Sequence, residues 1–348
     1  MSLESVHEEV AAERGPAALN DSEDRAGGVT TQPLNVVAFK FGGSSLLGAE
    51  RMLHAASLVR SAAAATNVTV IVSAMKGVTD RLLSIAHALA DEKLAHARRE
   101  VEAVLALHLD VLRDLQLEED DDLRIRRELK LLGGDLLHEV PAEGRVAPSD
   151  ELFDRLASFG ERLSARLFAA ALEKSGVAAV PVASSEFVVT CDNFRDAQPH
   201  LGQTRQRGRA VLLPLLEDGI VPVVTGFIGA TPDGRITTLG RNSSDFSGAI
   251  VAHVVDAEEL VIWTDVDGIY TANPNESAEA KLLHELSYDD AHALAAGGAR
   301  VLHAKVLPLA AETEMIVWVR NTFNPQARGT RIGSPRSARG PISQEELA

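Results

Sequence analysis

The feature that most restricts the fold of this chain is a glycine pair placed directly after a strongly apolar strand. The strand is predicted over residues 35–41, NVVAFKF, and Gly42 and Gly43 follow it. A helix over 49–64 and a second strand over 68–74 come next. A strand, helix and strand at this spacing form a βαβ unit, in which the two strands are parallel and the crossover is right-handed.

Strands and helices continue to alternate through the rest of the apolar sequence. Further strands are predicted in the segments VAAVPVAS, FVVT, IVPVVTGFIGA, ELVIWTDV and MIVWVRNT. Further helices are predicted over 149–176, where Ser149 is a candidate N-cap, and in GRAVLLPLLEDG and YDDAHALAAGGARVLH. This alternation predicts a doubly wound α/β architecture. A hydrophobic content of 45% with only 4% aromatic residues suits buried parallel strands.

Three segments stand apart from this alternation. Residues 81–140 show helical periodicity without strand patterns, which predicts a helical insertion, and the acidic run at 118–122 within it is interpreted as a solvated loop. Residues 1–34 are rich in acidic side chains and are predicted to form a disordered tail. Residues 336–348 are predicted to form a second tail.

The charge and composition exclude several classes of protein. A formal net charge of −16 disfavours non-specific binding to nucleic acid or to anionic membranes. No run of about 18 consecutive apolar residues, the length that predicts a membrane span, occurs in the sequence. The N-terminus lacks the pattern of a signal peptide. The single cysteine, Cys191, cannot form an internal disulfide, so a cytoplasmic location is expected.

Polar clusters follow four of the predicted strands, at 40–45, 73–80, 225–229 and 264–270. In open parallel sheets, ligands bind beyond the carboxyl ends of the strands. The coincidence of four such clusters therefore indicates a ligand site at one edge of the sheet.

The first cluster, KFGGSS, combines a lysine with a glycine pair at the start of a helix. Glycines let the backbone approach an anion closely, and N–H groups at a helix start favour negative charge. Lys40 would then supply a positive charge to a moving phosphoryl group. An edge lysine followed by a simple glycine turn is the alternative. The chain has no G-x-x-x-x-G-K-[ST] motif, which disfavours a P-loop enzyme.

Other polar residues have simpler interpretations when taken alone. An aspartate of residues 263–270, WTDVDGIY, could bind a ribose hydroxyl or orient a loop, but taken alone the segment is interpreted as a turn formed by the Asp-Gly pair. Glu161 is expected on a solvated helix face. The histidines show no metal-ligand spacing, and Cys191 is expected to be a buried thiol rather than a nucleophile.

Seven motifs occur in a fixed order along the chain. They are KFGGSS (40–45), SAMKGVTD (73–80), FGERLSARL (159–167), GFIGATPDGRITTLGRNSSDFSGA (226–249), WTDVDGIYTANP (263–274), GGARVLH (297–303) and RNTFNPQARGTRIG (320–333). Together they resemble the aspartokinases of the amino-acid kinase family, with the last segment similar to the kinase part of bifunctional aspartokinase–homoserine dehydrogenases. The resemblance covers residues 35–335.

The resemblance implies a fold and an activity. The fold would be a three-layer αβα sandwich around a mainly parallel sheet. Its N-lobe, about 35–225, would bind L-aspartate, and its C-lobe, about 226–335, would bind ATP. The reaction would convert ATP and L-aspartate to 4-phospho-L-aspartate and ADP, with Mg²⁺ bound through the ATP phosphates and not by protein side chains. This is a step of amino-acid biosynthesis.

The resemblance also implies roles for individual residues of the substrate site. Glu161 and Asp245 are similar to the family acids that hold the substrate ammonium. Arg241 is similar to the arginine that binds the α-carboxylate, a task for which a guanidinium is better shaped than an ammonium. Thr79 and Phe227 match further substrate positions.

For phosphoryl transfer and ATP binding the resemblance implies a second set of residues. Lys40 and Asp245 would be catalytic, since Lys40 is similar to the lysine that stabilises the transferred group. Gly42, Gly43 and Ser44 would surround the phosphates. The remaining nucleotide contacts would be Thr264, Asp265, Tyr270 and Arg300.

The chain departs from the family pattern at several positions. Asn275 stands where the family usually has an arginine, and Arg300 where it usually has a lysine, so ATP affinity is expected to differ more than aspartate recognition. Ser243 replaces a common glycine. About fifteen residues follow Gly333, too few for the ACT domains of most family members. Inhibition by lysine or threonine through this chain is therefore not expected.

Three functions remain open from the sequence. The first is an active aspartate kinase, and the second is an amino-acid kinase for another small carboxylate. The third is a catalytically weak regulatory or binding subunit. The pathway and the assembly of the chain into a homo-oligomer are also left open.

Overall fold

The computed structural model describes residues 34–141, 149–272, 277, 279–296 and 302–334. The helices are α1 Ala49–Ala63, α2 Val78–Ala90, α3 Leu94–Leu115, α4 Glu119–His138, α5 Asp150–Lys174, α6 Leu201–Glu217, α7 Ser244–Val254, α8 Tyr288–Ala296 and α9 Val306–Glu312, with a short 3-10 helix at Ser184–Glu186. The strands are β1 Val36–Phe41, β2 Asn67–Val72, β3 Ala179–Val182, β4 Val221–Thr225, β5 Ile228–Ala230, β6 Ile236–Thr238, β7 Glu259–Thr264, β8 Ile269–Tyr270, β9 Leu282–Leu283, β10 Glu285–Leu286, β11 Ile316–Asn321 and β12 Thr330–Ile332.

Eight strands form one sheet in the order β10-β12-β11-β7-β1-β2-β4-β3. The strands from β11 to β3 are parallel to one another, whereas β12 runs antiparallel to β11 and pairs in parallel with the edge strand β10. The centre of the sheet is β1, where Lys40 is paired with Ile71 of β2 and Ile262 of β7. The predicted mainly parallel sheet is confirmed.

Apolar side chains fill the space between the sheet and helices on both of its faces. Phe39 and Phe41 of β1 pack with residues of α1 to α5, and Ala38 packs on the opposite face with residues of α6 to α9. Successive residues of a strand point to opposite faces, so one strand supplies both cores. This arrangement is the predicted three-layer αβα sandwich.

The predicted helical insertion consists of α2, α3 and α4, and it contributes to the same core as α1 and α5. The interpretation of residues 118–122 as a loop was wrong. Glu119 to Asp122 form the first turn of α4. Negative charge at that end of a helix interacts favourably with the unpaired N–H groups. Asp122 also accepts hydrogen bonds from Arg126 at 2.9 and 3.1 Å.

Two predicted strands are also revised. The segment IVPVVTGFIGA is divided into β4 and β5, because Phe227 between them has a φ of 68° and β5 pairs with β6 in a separate antiparallel hairpin. The segment FVVT forms isolated bridges, such as that between Val189 and Ala230, rather than a strand.

The predicted tails lie outside the described residues. One continuous sheet passes through both predicted lobes, and the boundary between them near residue 225 stays a prediction. No helix in the described ranges combines the length and the apolar character that a membrane crossing requires.

Candidate active site

A cleft of about 680 Å³ opens at the carboxyl ends of β1, β2 and β7. This volume is in the usual range for a small-molecule site, roughly 300 to 1,000 Å³. Of the predicted site residues, it is lined by Lys40, Gly42, Gly43, Ser44, Thr79, Glu161, Phe227, Arg241, Asp245, Thr264 and Asp265. The structure therefore brings together residues that are distributed over more than half of the chain.

Lys40 forms an ion pair at the floor of this cleft. Its Nζ lies 2.7 Å from Oδ1 of Asp245, and both side chains are largely buried. The contact is an ion pair and not a well-aligned hydrogen bond. Oδ2 of Asp245 accepts the backbone N–H of His303 at 3.3 Å. Asp245 is also in the first turn of α7, where unpaired backbone N–H groups interact favourably with a negative charge.

Gly43 allows two loops to meet beside Lys40. A Cβ atom at this position would lie 2.6 Å from the carbonyl oxygen of Ala74 and 3.0 Å from the nitrogen of Lys76. The Gly43 carbonyl accepts the N–H of Lys76 at 3.1 Å. Backbone atoms cannot move aside as a side chain can, so this close approach requires glycine.

Glu161 lies inside the protein and not on a solvated helix face, so that expectation was wrong. It is 3% exposed, and Oε1 accepts the N–H of Ala74 at 3.0 Å. Oε2 has no hydrogen-bond partner in the described structure. Burial raises the pKa of Glu161 to about 8, against the lowering effects of the Ala74 hydrogen bond and the Lys40 charge. The packing explains this: α5 is covered on nearly all sides.

Arg241 lies at the mouth of the cleft on the turn between β6 and α7. Gly240 and Asn242 on either side have φ values of 99° and 62°, so the turn consists largely of left-handed backbone. The guanidinium is 78% exposed, with Nη2 at 3.3 Å from Oδ1 of Asp80, itself 74% exposed. Such an exposed pair contributes little stability, so Arg241 can change partners at low cost.

Phe227 lies at the start of the β5–β6 hairpin, opposite Leu239 in the segment that leads to Arg241. Its N–H donates to Oγ of Ser247 at 2.7 Å, and its carbonyl accepts the N–H of Leu239 at 3.0 Å. These bonds connect the hairpin to α7 and offset the cost of the left-handed conformation of a bulky residue.

Only some of the residues predicted to contact the nucleotide line the cleft. Thr264 and Asp265 end β7 at the cleft, and Oγ1 of Thr264 donates to Oδ1 of Asp265 at 3.3 Å. Tyr270 is not among the cleft-lining residues; it pairs with Leu282 between β8 and β9. Arg300 and Asn275 lie outside the described residues.

Several cleft residues were not predicted. They are Lys76, His87, Phe153, Asp154 and Arg195, among others. Lys76 belongs to the motif SAMKGVTD (73–80), so its position in the cleft could have been inferred from the sequence. Asp154 and Arg195 belong to none of the seven motifs.

Two further expectations concern metals and the thiol. In the ranges that the structure describes, no group of three or more His, Cys, Asp or Glu side chains could hold a metal ion. Cys191 is partly exposed and not buried, and its Sγ accepts the N–H of Gln198 at 3.3 Å.

Residues 35–321 match the model of the amino acid kinase family. The lysine-sensitive aspartokinase 3 of Escherichia coli (strain K12) is 33% identical over 302 residues, covering 85% of this chain and 64% of the relative. The chloroplastic aspartokinase 1 of Arabidopsis thaliana is 33% identical over 308 residues, covering 85% of this chain and 52% of the relative. The chain thus spans less than two thirds of the length of these relatives.

Solved structures give the same result for the fold. E. coli aspartokinase III in complex with aspartate and ADP (R-state) superposes with a TM-score of 0.80 at 32% identity, covering 87% of this chain and 66% of that chain. The same enzyme in complex with lysine and aspartate (T-state) superposes with a TM-score of 0.77 at 31% identity, with the same coverage.

Proposed function

The chain belongs to the amino acid kinase family, and on that premise we propose that it transfers the γ-phosphoryl group of ATP to the side-chain carboxylate of L-aspartate. The products are 4-phospho-L-aspartate and ADP. The observation that supports this most directly is the meeting of Lys40, Glu161, Arg241 and Asp245 in one cleft. The similar E. coli enzyme was solved with aspartate and ADP.

The acceptor half of the cleft suits an α-amino acid. Oε2 of Glu161 is buried without a hydrogen-bond partner among the described residues, and a substrate ammonium would satisfy it and ionise the carboxyl group. Arg241 is exposed and its present partner is weakly held, so its two N–H groups are available to an α-carboxylate. Thr79 and Phe227 would complete the walls, and Asp245 would add a second negative charge near the ammonium.

The donor half suits phosphate groups. Gly42, Gly43 and Ser44 follow β1, and the N-terminus of α7 lines the same cleft, so backbone N–H groups of these segments would contact the phosphates. Thr264 and Asp265 would contact the nucleotide, and we also propose contacts from Tyr270 and Arg300. Mg²⁺ would enter with the ATP phosphates.

Lys40 and Asp245 would act together in the phosphoryl-transfer step. The attacking carboxylate of free aspartate, with a pKa of about 3.9, is already ionised at neutral pH and needs no general base. Catalysis then depends on placing it in line with the phosphorus and on neutralising the developing charge. Lys40 would supply that charge, while Asp245 would fix the direction of the Lys40 side chain.

We further propose an N-lobe over about 35–225 for aspartate, with the helical insertion at about 81–140, and a C-lobe over about 226–335 for ATP. A cytoplasmic location is proposed with it, since ATP is the phosphoryl donor and the chain has a single cysteine.

ADP release, measured with L-aspartate, D-aspartate, L-glutamate and succinate as acceptors, tests this proposal. Release is expected with L-aspartate far above the other acids, and hydroxylamine should trap the acyl phosphate. Faster ADP release with another acid would identify that acid, and not aspartate, as the substrate. Nucleotide binding without turnover on any acid would support a regulatory subunit instead.

A further inference from the structure

Asp154 is a buried carboxylate whose oxygens are both occupied by hydrogen bonds. It lies on α5 and is 1% exposed. Oδ2 accepts the backbone N–H groups of Arg195 and Thr238, each at 2.8 Å, and Oδ1 accepts the Thr238 hydroxyl at 2.7 Å. Hydrogen bonds to an ionised acceptor are stronger than those between neutral groups. Asp154 therefore joins two segments that are far apart in sequence.

The first of these segments leads to Arg241. Thr238 ends β6 three residues before Arg241. Its carbonyl accepts the N–H of Ala197 at 2.9 Å, and the N–H of the next residue, Leu239, donates to Phe227 at 3.0 Å. A shift of Thr238 would thus displace both Arg241 and Phe227.

The second segment carries Arg195, a further cation of the cleft. Its φ of 69° is unfavourable for a side chain of this size, and Asp154 accepts the N–H of this strained residue. The Cζ atom of the guanidinium is 4.8 Å from the centre of the Phe153 ring, and Nη1 is 3.1 Å from Oδ1 of Asp150. Asp154 thus holds the backbone that carries this guanidinium in the lining of the cleft.

A comparison with Glu161 separates the roles of the two acids. Glu161 follows Asp154 by seven residues, so the two side chains lie on one face of α5, about two turns apart. Within the described part of the chain, Glu161 has one oxygen without a hydrogen-bond partner, whereas both oxygens of Asp154 accept hydrogen bonds from the protein. Oε2 of Glu161 is therefore available to a ligand, whereas the oxygens of Asp154 connect two segments of the protein.

We infer that Asp154 is a positioning residue of the acceptor pocket, which acts through Thr238 and Arg195 to hold Arg241, Phe227 and the Arg195 guanidinium in place. This inference rests on the proposed function for the identity of the acceptor. It assigns to Asp154 an effect on aspartate and none on ATP, because none of the segments that it joins contains a residue proposed to contact the nucleotide.

The variants Asp154→Ala and Asp154→Asn test the inference. The alanine variant should raise the KM for aspartate by about tenfold or more and leave the KM for ATP within about twofold, since it removes ground-state binding at one substrate only. The asparagine variant should stay within about threefold of the wild type. Its oxygen can accept both N–H groups, and the Thr238 hydroxyl can accept from its NH₂ group. Glu173→Ala, an acid of the same helix that pairs with Arg124, is the matched control.

Equal changes in both KM values, or an asparagine variant as impaired as the alanine variant, would overturn the inference. If Asp154→Ala does not fold, Thr238→Val removes only the hydroxyl bond. That variant should still raise the KM for aspartate alone, and an unchanged value would count against the inference.

Hydrogen exchange gives a readout that does not depend on the substrate. Amide exchange in peptides covering 192–198 and 236–241 should be faster in Asp154→Ala and unchanged in Asp154→Asn. If the wild type releases no ADP with aspartate, the proposed function fails, and the exchange result still decides the role of Asp154. Unchanged exchange in the alanine variant would overturn that role.

Discussion

Lys40 of β1 and Asp245 of α7 form a largely buried ion pair, with Nζ 2.7 Å from Oδ1. Each charge compensates the other in a region with little water, so the removal of one leaves the other unpaired. In the proposed reaction the incoming phosphoryl group would share the lysine with this aspartate. The cleft therefore holds its cation in place before the substrates arrive.

Lys40→Ala should lower kcat by a factor of 100 or more. A charge directed at the transition state contributes on the order of 3 kcal/mol. The measurement is steady-state ADP release at saturating ATP and aspartate. Lys174→Ala, a lysine at the exposed end of α5, is the control and should retain the wild-type rate. A near-normal kcat in Lys40→Ala would contradict the mechanism.

Arg241→Ala should raise the KM for aspartate by roughly 10- to 100-fold with a smaller change in kcat. Hydrogen bonds to charged groups contribute about 1.5–3 kcal/mol, and this arginine has little structural role because it is exposed. Arg241→Lys should recover only part of the loss, because an ammonium cannot form the paired contact. Arg235→Ala, on the same hairpin but outside the cleft lining, should bind aspartate normally.

Glu161→Gln should stabilise the substrate-free protein, and more so as the pH rises from 5 to 8. In the folded protein the pKa of Glu161 is about 8, so this carboxyl group keeps its proton over most of this window. In the unfolded chain its pKa is 4.5, so the proton is released. The free energy of unfolding therefore falls as the pH rises. Each unit of pKa shift corresponds to about 1.4 kcal/mol, so the gain at pH 8 should reach a few kcal/mol. Thermal unfolding of both proteins at several pH values measures it.

The same carboxyl group should make aspartate binding depend on pH. Because a bound ammonium favours ionised Glu161, the KM for aspartate should fall from pH 6 to pH 8 in the wild type. In Glu161→Gln the KM should be high and nearly independent of pH. A wild-type KM that does not change over this range would show that Glu161 does not receive the ammonium.

Gly43→Ala should reduce activity strongly, because its Cβ would lie 2.6 Å from the Ala74 carbonyl oxygen and would displace the loop that donates to Glu161. Gly134→Ala is the matched control. Among the described residues, no heavy atom beyond the chain neighbours and the nearby backbone of the helix itself lies within 4 Å of a Cβ at that position of α4. Since alanine is favoured over glycine in a helix by roughly 0.5–1 kcal/mol, the control should be slightly more stable and fully active. Measurements of activity and of the unfolding temperature compare Gly43→Ala with Gly134→Ala.

Local patterns were sufficient to predict much of the fold. The apolar runs and glycine positions predicted β1, α1 and β2 to within a few residues, and Ser149 is the N-cap of α5, accepting the N–H of Leu152 at 3.1 Å. These features depend on neighbours in sequence. The acidic start of α4 was missed because a run of like charges resembles a loop until the helix dipole is considered.

The parts of the site that depend on distant contacts could not be predicted from local patterns. The motifs indicated which residues meet in the cleft, but the burial of Glu161 follows from a contact with Ala74, 87 residues earlier. Asp154 has partners 41 and 84 residues further along the chain. No local spacing predicts such contacts.

The positions of Asp154 and Glu161 on one continuous helix have a mechanical consequence. Glu161 accepts a hydrogen bond from the loop after β2, and Asp154 accepts one from the end of β6. Helix α5 therefore connects two walls of the cleft as a rigid rod. Any sliding of this rod along its axis moves both attachment points by the same distance. A displacement of α5 therefore moves the loop after β2 and the end of β6 together. This holds also when the displacement comes from the helices of the insertion, which pack against α5.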